Sequence, residues 1–401
     1  MTSLTPRSNE RIVSLDIIRG FALLGILLAN MAFFKSPALQ LQGYPGAEPL
    51  LSLSQMDEWF KFLINWLVVG KFYPMFSFLF GLGAYIFYTR LVEKGREPKA
   101  YFLRRFSFLL GLGLIHLLFI WSGDILHTYA AAGFLLLYFL RAPAKTVLIW
   151  GVSLIAVSAV FLTGLLTLSY AFSADYFSSD AAAEQAQADI SSAEAVYSSG
   201  SYLELLGFRL SNELPLILSN IFFTVPSILG LFLIGFYFGK KELFRRSSAA
   251  SGFWRKLQLT GLGAGLPLSF MYAYLNSSYS TLPAWTAASI GEGINYIGGP
   301  LLMLGYVASI VLIVRNERFK RLLFPIALVG RMALTNYLLQ SIVCAFIFYG
   351  FGLELFGTVS VSTGVLIALI IYTAQVILTF FWFLAFSQGP LENLWRRWTY
   401  R

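Results

Sequence analysis

The chain carries only two histidines, His116 and His127, and one carboxylate, Asp124, stands between them. Imidazole is the side chain best suited to exchanging a proton near neutral pH, and a general base must be held in reach of the proton it takes. The stretch Gly113-Leu-Ile-His-Leu-Leu-Phe-Ile-Trp-Ser-Gly-Asp-Ile-Leu-His127 therefore supplies a candidate catalytic pair, His116 and Asp124. Eight residues along a straight helix would hold the two about 12 Å apart. Asp124 can orient His116 only if the turn folds back or a water bridges them. The plainer readings are a histidine bonded to a neighbouring carbonyl and an Asp124 that caps the next helix. His127 reads as structural.

Two further clusters offer charge rather than proton transfer. Arg11 to Asn30 is long and apolar enough to cross a bilayer, yet it holds Asp16, Arg19 and Asn30. At about 100° per residue Arg19 and Asn30 nearly eclipse each other, with Asp16 about 60° from Arg19, so all three form one polar stripe. In Gly330-Arg-Met-Ala-Leu-Thr-Asn-Tyr-Leu-Leu-Gln340, Arg331 shares a face with Thr335, and Asn336 with Gln340. Guanidinium groups suit phosphate and carboxylate. Asp16, Arg19, Asn30, Arg331, Asn336 and Gln340 are therefore candidate ligand-binding residues for an anion or headgroup. The alternative is ion pairing between helices. Asn220, Glu292 and Asn295 are further polar candidates.

The elements that must position these residues are membrane helices. Of 401 residues 57% are hydrophobic and 12% charged, with mean hydropathy +0.70; a soluble domain carries about 25% charged residues. The fold class is all-α and polytopic, one integral membrane domain over residues 1–401. Ten spans are expected, near 14–34, 72–91, 103–122, 124–141, 146–170, 214–238, 257–276, 292–314, 325–350 and 359–387. The apolar run 59–69 is too short to cross and reads as a re-entrant or interfacial half-helix. The N-terminal run is no cleavable signal, because it is long, holds Asp16 and Arg19, and lacks a small-residue cleavage site.

Alternating the spans from a cytoplasmic N-terminus puts twenty-three of the 29 basic residues on the cytoplasmic side, as the positive-inside bias requires. Both termini are then cytoplasmic and the protein sits in the inner (cytoplasmic) membrane. The net charge of +9 has this topological cause, so nucleic acid is not an expected partner. The opposite face carries 171–213, where Asp175, Asp180, Glu184, Asp189 and Glu194 occur without a basic residue among them. Residues 180–197 can form an amphipathic helix, and the segment is a cap on the membrane domain or a mobile loop. Cys344 stands alone, so no internal disulfide is available, and two histidines with one cysteine exclude the usual zinc sites, while the carboxylates leave a weaker metal site open. Phosphate-loop, G-x-S-x-G and H-E-x-x-H motifs are missing. The Gly-x-Gly pairs at Gly81 and Gly83, Gly111 and Gly113, and Gly261 and Gly263 read as helix-packing sites.

Five ordered motifs resemble the YeiB family of bacterial membrane proteins. They are Leu15 to Asn30, Gly70-Lys-Phe-Tyr-Pro-Met-Phe-Ser-Phe-Leu-Phe-Gly-Leu-Gly83, the His116 to Asp124 stretch, Gly330 to Tyr337, and Gly389-Pro-Leu-Glu-Asn-Leu-Trp-Arg396. Asp16, Arg19, Gly20 and Asn30 also resemble the opening of a wider group of transmembrane acyltransferases, which includes the lysosomal heparan glucosaminide acetyltransferase. That resemblance implies transfer of an acyl group from cytosolic acyl-CoA, as donor substrate, to a sugar or lipid acceptor. Those enzymes place a catalytic histidine shortly after the asparagine, whereas residues 31–58 contain none. Either His116 takes that role from another helix, or the fold is kept without the reaction. A transporter or lipid-binding protein is the rival expectation. Expected partners are membrane lipids, acyl-CoA with its acceptor, and a second copy of the chain in a homodimer.

Overall fold

A computed structural model describes residues 12–41, 44, 53–177, 179–245 and 251–401. The first helix is α1 (Val13–Lys35), followed by the single turn α2 (Ala38–Leu41). The next helix, α3 (Gln55–Leu67), leads across a break at Val68–Lys71 into α4 (Phe72–Glu93). After α5 (Pro98–Ile115) the chain widens into a π-turn, His116–Ile120, and returns as α6 (Leu126–Leu136) with a 3-10 extension to Phe139. Helix α7 (Ala144–Phe172) leaves the bundle for α8 (Ala174–Phe177), α9 (Asp180–Ser199) and α10 (Tyr202–Phe208). A second π-turn, Arg209–Glu213, opens α11 (Leu214–Lys240). Then come α12 (Ser251–Leu275), α13 (Ala284–Ile313), α14 (Glu317–Leu322), α15 (Phe324–Arg331), α16 (Ala333–Phe348), α17 (Val361–Ala385) and α18 (Pro390–Thr399).

All regular structure among the described residues is helical, the form in which a segment crossing lipid satisfies its own backbone. Seven helical elements are long and apolar enough to cross, and the bent pair α15–α16, which turns by 84° at Met332, makes eight. The count of ten is therefore approximate, and two expected spans account for the difference. The 124–141 span is the shorter apolar helix Leu126–Phe139. The 257–276 span is α12, whose glycines, serines and tyrosines dilute its apolar character. The short helix expected at 59–69 is α3, which α4 continues as Gln55–Glu93.

Glycine decides how closely these helices approach. A Cβ at Gly261 would strike the backbone of Gly305, and one at Gly81 would strike the backbone of Phe232, so α12 lies on α13 and α4 on α11 at backbone distance. Gly263 and Gly111, the other members of their pairs, meet nothing within 4 Å. Helix packing, not ligand binding, explains the glycines that are engaged. The same device crosses α1 with α15, where Gly20 faces the Ile326 carbonyl and Gly330 the Asp16 carbonyl.

The acidic segment is a cap. Ala182, Ala186, Ile190, Ala193 and Tyr197 form the buried stripe of α9, a spacing of three and four that keeps them on one helix face. Ser179 caps its start. The Tyr197 ring stacks on Phe356 with centroids 4.8 Å apart, and the Tyr197 carbonyl accepts from Gly350 N at 2.8 Å. Tyr44 donates to Asp189 Oδ2 at 2.6 Å, and that hydrogen bond pushes its phenol up to about 12. The stabilisation is fully present below the ordinary phenol value near 10 and is lost as pH rises through the folded-state value. Arg7, Arg11 and Arg246, three of the twenty-three basic residues assigned to the cytoplasmic side, lie outside the described residues.

Candidate functional site

The π-turn at the end of α5 closes when Trp121 N donates to the His116 carbonyl at 2.8 Å. The chain then reverses through Ser122–Ile125 and starts α6. Gly113 permits the reversal, because a side chain there would overlap the backbone of His127. The turn thus folds back and brings Asp124 against His116. Asp124 Oδ1 lies 2.7 Å from His116 Nδ1. Its other oxygen accepts from His127 N at 2.9 Å and lies 2.7 Å from His127 Nδ1. Asp124, one residue before the N-cap Ile125, therefore both accepts from an N–H in the first turn of α6 and holds His116 Nδ1, joining two readings that the residue types alone set against each other. His127 joins the cluster, and its Nε2 lies 3.2 Å from Thr128 Oγ1.

The chemistry follows from which atoms are left. The side chains of His116 and Asp124 are both 0% exposed. A carboxylate only accepts when ionised, so each Nδ1 facing it carries the proton. The lone pair of neutral His116 then sits on Nε2, which is buried and has no hydrogen-bond partner. An unsatisfied buried polar atom costs about 1–3 kcal/mol. The rings of Tyr337 and Trp121 stand 5.4 and 6.3 Å from the His116 ring. The polar cavity that a general base implies does not reach His116 in this structure. The imidazole is enclosed on all sides, and a void of about 10 Å³ nearby is walled by Leu117, Leu118 and Ser122 instead. Among the described residues no group of three or more His, Cys, Asp or Glu side chains is placed to hold a metal ion.

The six candidate ligand-binding residues divide into three sets. Arg19 Nη1 donates to Asp16 Oδ1 at 2.9 Å, with the Arg19 side chain 29% exposed and Asp16 buried. The Gly20–Gly330 crossing brings the end of α15 to the same level. There Arg331 lies over the Phe383 ring at 4.3 Å and donates to the Ser387 carbonyl at 3.4 Å. Asn336 and Gln340 point inward and tie helices together. Asn336 Nδ2 donates to the Val329 carbonyl at 3.2 Å and to Thr379 Oγ1 at 3.3 Å. Gln340 donates to Gln375 Oε1 at 2.9 Å, and Gln375 returns a bond to the Asn336 carbonyl at 2.9 Å. Asn30 shares the face of Arg19 but lies about 16 Å further along α1, part-buried. The six do not converge on one site.

Two polar centres were not singled out by residue type. Glu392 lies in the closing motif, and its Oε1 accepts from Leu334 N at 2.8 Å and Thr335 N at 3.1 Å. Its Oε2 accepts from Thr335 Oγ1 at 2.7 Å. It caps α16 where the chain breaks at Met332. Lys71, 0% exposed, fills the break between α3 and α4. It donates to the carbonyls of Asn65 (3.0 Å) and Val69 (2.6 Å) and to Asn295 Oδ1 (3.3 Å). The available signal was a lysine standing inside an apolar run.

These features define a polytopic helical membrane protein with a sealed His–Asp–His cluster in the bundle. The family profile described as "Protein of unknown function (DUF418)" matches residues 238–401. "Uncharacterized protein YxaH" of Bacillus subtilis (strain 168) is 34% identical over 100% of this chain and 97% of its own length. "Uncharacterized protein YeiB" of Escherichia coli (strain K12) is 30% identical over 98% of this chain and 97% of its own. "Uncharacterized 39.9 kDa protein in amylase 3'region" of Bacillus acidopullulyticus is 27% identical over 98% and 94%. The chain belongs to this YeiB-like family. No solved structure matches it.

Proposed function

We propose that the protein is a membrane-embedded acyltransferase with both termini in the cytoplasm, in which His116 is the general base and Asp124 its orienting carboxylate. One observation carries the reading: His116 Nδ1 is held by Asp124 while Nε2 is left without a partner. In this reading Nε2 takes the proton of an acceptor hydroxyl as its oxygen attacks the thioester carbonyl of acyl-CoA. The carbon–sulfur bond breaks, and the CoA thiolate leaves and takes up a proton. The anionic donor approaches the end of the bundle that carries Arg19 and Arg331, where guanidinium groups suit phosphate. His116 supplies the base that residues 31–58 lack. Because Nε2 is enclosed, the acceptor enters only after the packing around the π-turn opens. Asn336 and Gln340 act as packing residues.

A transporter is the second reading, and the 84° break at Met332 favours it, since discontinuous helices build solute sites in transporters. One experiment separates the two. Free thiol release from acyl-CoA is followed for the purified protein in liposomes containing total membrane lipid. The expected result is release that falls by about 10²-fold or more in His116→Ala and Asp124→Asn. CoA binding should be retained in both variants. Thiol release that is unchanged in His116→Ala would falsify the enzyme reading and leave transport.

A further inference from the structure

The two π-turns meet at the end of the bundle opposite the termini. Arg209, first residue of the second, donates from Nη1 to the carbonyl of Ile120, last residue of the first, at 3.1 Å. Its Nε donates to the Tyr197 hydroxyl at 3.2 Å, and that hydroxyl reaches Glu213 at 2.9 Å. Among the described residues the hydrogen bonds from Arg209 to Glu213 run through Tyr197, and Nη2 is buried without a hydrogen-bond partner. Arg209 is 3% exposed and lines the small void beside the first π-turn. Ser122 stands at the same void, which Leu118, Leu210, Leu214 and Ile217 continue as an apolar wall. Leu210 is 46% exposed, so this wall opens at the surface of the helix bundle. The guanidinium lies 5.5 and 5.3 Å from the Tyr197 and Tyr349 ring centroids, and its remaining N–H calls for an oxygen acceptor, for which charge makes phosphate the strongest. Among water-soluble phosphates none would use the leucine wall.

We infer that this groove, closed to about 10 Å³ as it stands, parts at the exposed Leu210 to seat a phospholipid, its phosphate oxygen on Arg209 Nη2 and Ser122 and its acyl chain along Leu118, Leu210, Leu214 and Ile217. This deepens the acyltransferase reading by naming the acceptor as a membrane amphiphile, since the groove wall includes Leu117 beside His116 and Ser122 near Asp124. The test does not depend on catalysis. Phosphatidylglycerol is added to delipidated protein in detergent, and retained lipid is counted by native mass spectrometry. Retention should fall about tenfold in Arg209→Gln, as expected for loss of a charged hydrogen bond. It should also fall in Leu210→Trp, which fills the groove from its exposed side and leaves Arg209 in place. His116→Ala should retain lipid as the unaltered chain does, whether or not it has lost thiol release. Diacylglycerol, which lacks the phosphate, should bind about tenfold more weakly. Glycerol phosphate, which lacks the chains, should not displace the lipid at equal concentration. Unchanged retention in both Arg209→Gln and Leu210→Trp overturns the proposal. Displacement by glycerol phosphate as effective as that by the lipid itself also overturns it, in favour of a soluble oxyanion site.

Discussion

Asp124 serves three donors at once: His116 Nδ1, His127 Nδ1 and the backbone N–H of His127. Replacing it by Asn keeps the shape but turns one acceptor oxygen into an NH₂ group that faces a donor. We expect Asp124→Asn to lower stability by about 1–3 kcal/mol, the cost of a buried polar group left unpaired. Thermal unfolding in detergent checks this, and an unshifted transition would mean that Asp124 does not hold both histidines. The types and order of His116, Asp124 and His127 were legible in the sequence, and so was the requirement that the turn fold back. That it does fold back depends on the contact between Gly113 and the His127 backbone, which joins residues fourteen apart and leaves no trace in spacing. The inward aim of Asn336 and Gln340 was equally hidden, because a polar helix face looks the same whether it meets a ligand or Gln375 on α17.

At the scale of elements, the breaks matter as much as the helices. A single residue, Met332, separates the end of α15 from the start of α16, and the first backbone N–H groups of α16 have no intrahelical acceptor. Glu392 on α18 supplies it, and Leu391 N in turn donates to Thr335 Oγ1 at 3.2 Å. Glu392→Ala should therefore cost about 1–2 kcal/mol, the range for losing a helix cap. Glu392→Gln, which keeps an acceptor oxygen, should recover most of the loss. Equal destabilisation by both variants would show that charge rather than capping is at stake. The Gly-x-Gly pairs give a matched test of packing. Gly261→Ala must push against the Gly305 backbone and should destabilise. Gly263→Ala meets open space and should be neutral or stabilising by up to about 1 kcal/mol, the helix preference for Ala over Gly. Unfolding midpoints of the two variants that coincide would remove the packing account of α12 on α13.

For the molecule as a whole, composition was enough to read an all-α membrane bundle, and the span count was legible only approximately. Hydropathy marks a helix by its average, so α12 falls short although glycine contacts seat it along α13. The break at Met332 is invisible to an average because both of its arms are apolar. Orientation rests on a different signal, the distribution of Lys and Arg between loops, which acts during insertion and not through packing. It can be tested with single cysteines, since the native Cys344 is buried and should stay silent to a polar thiol reagent. Ser191 on the cap helix α9 and Ser278 after α12 are both exposed, and on the proposed orientation both face away from the cytoplasm. Cysteines placed there should react in intact cells with a reagent that does not cross the membrane. Ser248 lies in segment 246–250, outside the described residues, within the loop whose flanks carry Lys240, Lys241, Arg255 and Lys256. A cysteine there should react only after the inner face is opened. Labelling of Ser248→Cys in intact cells, or protection of Ser191→Cys and Ser278→Cys, would invert the assignment and move His116, Asp124 and the Arg209 groove to the cytoplasmic side of the bundle.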